Sequence, residues 1–125
     1  MDKFLLILLF TFNTPEYCNS IQKEFNSKSN ELIRKVQFLE DCAEPVPSFL
    51  DKVYSNIKYR ANRLKVCVSL VQKGNNGFDC SRELRKIKRS RKENECPKEF
   101  ESVEKHFNAF RKLTQKNQGC KTNEK

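Results

Sequence analysis

The sequence predicts an all-α fold, a short-chain four-helix bundle held together by three disulfides. Apolar residues recur at spacings of three and four in four segments, as they do in helices that bury one face. The alternation of apolar and polar residues that is typical of strands is almost absent. Six cysteines follow a hydrophobic leader, and an even number of cysteines in so short a chain indicates disulfides formed outside the reducing cytosol.

Residues 1–17 are predicted to be a signal peptide. Lys3 supplies a charged start, and residues 4–12 are an apolar run. As a helix this run would span only about 14 Å, whereas the hydrocarbon core of a membrane is roughly 30 Å thick. Small and polar residues place the cleavage between positions 13 and 20. A cut before Cys18 keeps the number of cysteines even, so we expect a secreted domain of residues 18–125.

The first helix is predicted from about Ser20 to Asp41, with Asn19 or Ser20 as its N-cap. Residues 27–30 interrupt its apolar stripe with polar side chains, so we expect the helix to be weak or bent there. The stripe that should face the core consists of Ile21, Phe25, Leu32, Val36 and Leu39.

The second helix lies between residues 48 and 73. Pro45 and Pro47 require a loop before it, and its regular part is expected to start as late as Asn56. Glycines at 74 and 77 end it. Its apolar stripe consists of Leu50, Val53, Ile57, Ala61, Leu64, Val68 and Val71.

The third predicted helix runs from Ser81 to about Lys92, with Leu84 and Ile87 facing inward together with Cys80. Seven of the eleven residues from 82 to 92 are Lys or Arg. The fourth starts with Pro97, reaches about residue 117 and stops at Gly119. Its apolar stripe consists of Phe100, Val103, Phe107, Phe110 and Leu113. The loops after the first and third helices are long enough to cross the bundle, so we expect an up-up-down-down topology.

The charge balance favours an anionic partner. The chain carries a net +9, and because residues 1–17 contribute −1, the mature domain carries +10. An acidic protein surface or a glycosaminoglycan fits a secreted cation better than nucleic acid does. The cysteines lack metal-site spacing, His106 has no second histidine, and no catalytic motif is present, so we expect neither an enzyme nor a bound metal or cofactor.

The order of the cysteines around the predicted helices resembles that of the interleukin-4/interleukin-13 family of short-chain helical cytokines. The string Cys18-Asn-Ser-Ile-Gln-Lys-Glu24 is similar to the family's opening. The string Asn94-Glu95-Cys96-Pro97, followed by an amphipathic helix and a last cysteine, resembles the interleukin-4 ending. The segment between Cys80 and Cys96 is shorter than in mammalian interleukin-4, which suggests a divergent, non-mammalian vertebrate member.

The resemblance implies a function. Such cytokines join two single-pass receptor chains and do no chemistry themselves. Here the chains would be an interleukin-4 receptor alpha-like chain and a common gamma or interleukin-13 receptor-like chain, bound by a monomer through the first and third helices. The resemblance also implies the disulfides Cys18–Cys120, Cys42–Cys80 and Cys67–Cys96. The receptor-binding residues that it and the charge pattern suggest are Glu24, Arg82, Arg85, Lys86, Arg89, Arg91 and Lys92.

Two other functions are compatible with the sequence. An interleukin-2/15/21-type cytokine shares the bundle and a common receptor chain. A cationic host-defence or heparin-binding protein would act on anionic membranes or polysaccharide without a dedicated receptor. The resemblance favours the interleukin-4/interleukin-13 type.

Overall fold

The structure is a computed structural model that describes residues 15–43, 56–75, 77–91 and 95–122. Within these residues the chain forms four helices and no strand, which confirms the predicted all-α class. The helices are α1 (Pro15–Cys42), α2 (Ile57–Gln72), α3 (Cys80–Ser90) and α4 (Pro97–Thr122). The apolar leader, Leu50, Val53 and Lys92 lie outside the described residues, so the predictions made for them stay predictions.

Helix α1 is longer than predicted. It begins at Pro15, which suits the first helical position, and Asn19 and Ser20 therefore lie inside the helix rather than at its cap. The expected weak middle does not interrupt it. Ser29 is buried there, and its hydroxyl donates to the Phe25 carbonyl oxygen at 2.7 Å, so its polar group is satisfied within the helix.

The ends of α2 and the start of α3 carry capping groups. Asn56 is the N-cap of α2 and accepts a hydrogen bond from the Lys58 backbone N–H at 2.8 Å, so the regular helix starts where the sequence placed its latest start. Gly74 has a φ of 100°, a conformation that favours glycine, and its N–H donates to the Val71 carbonyl oxygen. The Asp79 side chain caps α3.

Helix α4 continues past Gly119 to Thr122, so the prediction that it stops at this glycine is wrong. A single glycine costs a helix only about 1 kcal/mol relative to alanine, which packing or a cross-link can offset. Here Cys120 is bonded to Cys18 and holds the end of α4 against the start of α1.

The core draws side chains from all four helices. The predicted stripes of α1, α2 and α4 are buried, and the aromatic rings form its centre: Phe25 and Phe110 stack at 5.7 Å between centroids, and Phe107 lies 5.8 Å from Phe110. The predicted core residues that are buried are Ile21, Phe25, Leu32, Val36, Leu39, Ile57, Ala61, Leu64, Val68, Val71, Cys80, Ile87, Phe100, Val103, Phe107, Phe110 and Leu113.

Helix α1 packs against both α2 and α4, and α3 packs against α2. Gln72 donates to Asn30 at 2.9 Å and Lys65 donates to Glu40 at 2.8 Å, so α2 runs antiparallel to α1. An up-up-down-down topology would make these two helices parallel. That predicted topology is therefore not confirmed, because α2 runs opposite to α1.

Two of the three predicted disulfides are wrong. Cys18–Cys120 is present as expected, but the other four cysteines pair as Cys42–Cys96 and Cys67–Cys80. The helix directions explain the difference. Antiparallel α1 and α4 bring the Cα atoms of Cys42 and Cys96 to 6.1 Å, and the short turn between α2 and α3 brings those of Cys67 and Cys80 to 5.7 Å.

Candidate binding surfaces

The predicted receptor-binding residues fall on two surfaces. Glu24 is exposed on α1, and the predicted cations lie on α3 and just after it. Each of these two helices packs against α2, and they are not among the helix pairs that pack against each other. The shared receptor-binding face of these two helices that the resemblance implied stays a prediction.

We call the exposed side of α3 the cationic surface. It consists of Arg82, Arg85, Lys88 and Arg89, which are the four exposed residues of α3. Cys80 and Ile87 on the opposite side are buried in the core. The helix thus has one apolar and one wholly cationic side, and the sequence identified three of its four exposed cations.

Neighbouring acidic groups neutralise the cationic surface weakly. Arg85 lies 3.9 Å from Asp79, and both side chains are about two-thirds exposed. Lys86, which is half-buried at the edge, lies 3.7 Å from Glu83. The exposed Arg85–Asp79 pair contributes little, because water and salt screen it, whereas the Lys86–Glu83 pair is mostly buried and lies beside the cationic surface rather than on it. Most of the positive charge of α3 is therefore available to a partner.

The side chain of Arg91 is engaged in contacts within the protein. Its guanidinium lies over the Phe100 ring at 4.7 Å from the centroid, and one of its N–H groups donates to the Glu95 carbonyl oxygen at 3.1 Å. These contacts attach the end of α3 to the start of α4. The predicted receptor contact at Arg91 would have to form from a side chain that already holds two helices together.

A second surface follows one line of α1, which we call the α1 stripe. Its residues are separated by four, three, four, three and four positions, so they lie above one another on the helix. It carries the predicted Glu24 at one end and ends at the Cys42–Cys96 disulfide to α4. The α1 stripe consists of Glu24, Lys28, Glu31, Lys35, Phe38 and Cys42.

The middle of the α1 stripe is joined to α4 by polar contacts. His106 Nε2 lies 2.9 Å from a Glu31 carboxylate oxygen, and its Nδ1 lies 2.8 Å from the Ser102 carbonyl oxygen. Both partners accept, so both bonds form only when each ring nitrogen carries a proton. The bond to His106, followed by that to Lys28, lowers the pKa of Glu31 below its ordinary value.

At the end of the α1 stripe, Phe38 lies in a groove between α1 and α4. Its side chain is 50% exposed, and the ammonium of Lys35 is 5.6 Å from the ring centroid. The groove has a volume of about 470 Å³. It is lined by Lys35, Phe38, Asp41, Cys42, Lys98, Glu99 and Ser102. This surface was not predicted from the sequence, although an aromatic residue outside the core stripe of α1 could have indicated it.

The same groove contains a group of potential metal donors. Atoms of Cys42, Cys96 and Glu99 lie within 4.8 Å of one another. The two sulfurs are joined to each other as a disulfide, so neither is a thiolate that could bind a metal. Only the carboxylate of Glu99 remains, and one carboxylate does not make a metal site.

Comparisons with known proteins leave the family open. No protein-family model matches the chain, and neither the curated proteins nor the solved structures gave a match. In the part of the chain that the structure describes, no helix has the length and apolarity needed to cross a membrane.

Proposed function

We propose that the protein is a secreted signalling ligand of the helical cytokine type, which binds receptor ectodomains and brings two receptor chains together. A small helical domain with three disulfides suits an oxidising extracellular environment. The order of the cysteines along the chain supports the cytokine type. The pairing of four cysteines differs from the one that the resemblance implied, and the direction of α2 differs from the one that the loop lengths suggested.

The observation that carries the proposal is the exposure of Phe38 in the α1–α4 groove. Half of the accessible surface of Phe38 is exposed there, and the charged residues Lys35, Asp41, Lys98 and Glu99 line the same groove. An aromatic anchor within a polar rim is the usual organisation of a protein–protein interface. Burial of this ring by a receptor would remove its apolar surface from water without disturbing the core.

Glu24 lies on the same line of α1. Fourteen residues separate it from Phe38, which corresponds to about 21 Å along the helix. A receptor that lies along the α1 stripe would reach both residues. In this proposal Phe38 supplies the apolar anchor, and Glu24 pairs with a donor on the receptor, the role that the resemblance suggested for it.

Binding kinetics on immobilised ectodomains test this function. The panel contains interleukin-4 receptor alpha-like, interleukin-13 receptor-like and common gamma chains. Wild-type protein should bind at least one of them. Phe38→Ala should weaken that binding by about 2 kcal/mol or more, roughly a 30-fold change in affinity, and Glu24→Gln should accelerate dissociation.

Phe78→Ala is the matched control, because Phe78 is 51% exposed but precedes α3 and lies outside the groove. Its affinity should equal that of the wild type. Absence of binding to every ectodomain would contradict the cytokine function. Equal losses for Phe38→Ala and Phe78→Ala would show instead that the contact is not at the α1 stripe.

A further inference from the structure

We propose that the cationic surface of α3 binds sulfated polysaccharide, independently of the receptor contact on the α1 stripe. The four exposed residues of this helix are all Arg or Lys. Its other side is fixed in the core by Cys80 and Ile87, and Cys80 is also bonded to Cys67 of α2. The cations are therefore displayed on a rigid support, which lowers the entropy cost of binding.

The arrangement is not explained by the stability of the helix. Like charges at spacings of three and four destabilise a helix, and cations near its N-terminus oppose the helix dipole. Arg82 lies in the first turn and opposes the dipole, but Glu83 in the first turn and Lys88 and Arg89 in the last turn favour it, so the cost arises mainly from the like-charge spacing. Near α3, the mostly buried Lys86–Glu83 pair offsets part of this cost, and the exposed Arg85–Asp79 pair offsets little of it. A polyanion would relieve the repulsion that these pairs leave.

The chemistry of the cationic surface fits a polysaccharide better than a protein. Protein interfaces need an apolar or aromatic centre that excludes water, and charged residues are depleted there. No apolar side chain is exposed on α3 itself. A chain of sulfates needs only a line of cations, and Arg82 to Arg89 extends for about 10 Å along the helix axis. Clusters of this kind are typical of heparin-binding patches.

The fold keeps this surface separate from the groove with Phe38. Helix α3 packs against α2, whereas the groove lies between α1 and α4. A polysaccharide along α3 would therefore leave the α1 stripe accessible. The protein could be retained on sulfated matrix while its receptor surface remains free.

Binding to immobilised heparin at several salt concentrations tests the proposal. The variant Arg82→Gln/Arg85→Gln/Arg89→Gln is compared with Arg34→Gln/Lys105→Gln/Lys116→Gln, which removes the same charge from exposed positions on α1 and α4. The α3 variant should lose most of its affinity, and the slope of log K against log salt should fall by about one per lost contact. The control variant should keep nearly the wild-type slope. Circular dichroism checks that both variants remain helical.

Three outcomes would overturn the proposal. Equal losses in the two variants would mean that net charge alone drives the binding. Equal affinity for heparin and for hyaluronan, which carries carboxylates without sulfates, would remove the selectivity for sulfate. Loss of ectodomain binding with unchanged heparin binding in the α3 variant would assign the cationic surface to an acidic receptor. Phe38→Ala should leave heparin binding unchanged, so failure of this proposal is distinguishable from failure of the receptor proposal.

Discussion

The pairing of the cysteines predicts a large difference between two double variants that remove the same number of sulfurs. Cys42→Ala/Cys96→Ala deletes one bridge and leaves the other two intact. Cys42→Ala/Cys80→Ala instead breaks two bridges and leaves Cys67 and Cys96 as free thiols. Both variants contain the change at Cys42, so they differ only in which second sulfur is removed.

The magnitudes follow from the lengths of the closed loops. The Cys42–Cys96 bridge spans a sequence separation of 54, and loop-closure entropy gives it about 4 kcal/mol. The Cys67–Cys80 bridge spans 13 and contributes about 3 kcal/mol. The variant Cys42→Ala/Cys96→Ala, here the matched variant, should therefore lose about 4 kcal/mol of unfolding free energy. The variant Cys42→Ala/Cys80→Ala, here the crossed variant, should lose about 7 kcal/mol. Because small domains have only about 5–15 kcal/mol in total, the crossed variant should be largely unfolded.

Denaturant unfolding followed by circular dichroism measures the stabilities, and thiol titration under denaturing conditions counts the free cysteines. The matched variant should show no free thiol and the crossed variant two. The reverse result, with two thiols in Cys42→Ala/Cys96→Ala and none in Cys42→Ala/Cys80→Ala, would refute the observed pairing. It would support the bridges that the family resemblance implied.

Two further predictions concern the core and the contact between α1 and α4. Phe107→Ala should lower the free energy of unfolding by about 3–5 kcal/mol, because the ring is buried against Phe110. The control Phe78→Ala should change this free energy by less than about 0.5 kcal/mol. A loss under about 1 kcal/mol for Phe107→Ala would show that its ring does not belong to the core. The lowered pKa of Glu31 contributes stability that is present above the ordinary carboxylate pKa and is lost as the pH falls through the lowered value. The melting temperature of Glu31→Gln should therefore fall less steeply than that of the wild type between about pH 5 and pH 2. Glu24→Gln is the exposed control. An unchanged pH dependence of the melting temperature in Glu31→Gln would show that Glu31 is not the origin of this stability.

The positions of the helices could be predicted because they depend on local patterns. Phe25 and Phe107 belong to stripes with helical spacing, and such stripes are buried whichever way neighbouring helices run. The termini were less predictable. Asn19 and Ser20 have the chemistry of an N-cap, but Pro15 starts the helix earlier. Gly119 has the chemistry of a helix stop, but α4 continues through it to a disulfide-bonded Cys120.

The direction of the helices and the pairing of the cysteines were not predictable from local patterns. Six cysteines allow fifteen pairings, and their separations along the chain do not select one. Contacts distant in sequence, such as that of Lys65 with Glu40, determine that α2 runs back along α1. Part of the candidate site was predictable: the dense charge of α3 is visible in the sequence, whereas the groove around Phe38 exists only once α1 and α4 are side by side.

The observed bridges divide the covalent framework into two halves. Cys18–Cys120 and Cys42–Cys96 join α1 to α4 near both ends of the pair, and Cys67–Cys80 joins α2 to α3. No described disulfide connects one half with the other, so only the backbone on either side of the α2–α3 hairpin does. An extracellular protease that cut both connections would leave the hairpin with the cationic surface attached to the paired helices only by the packing of α2 against α1 and by the shared core. The proposed matrix retention and receptor engagement would then be joined by noncovalent contacts alone.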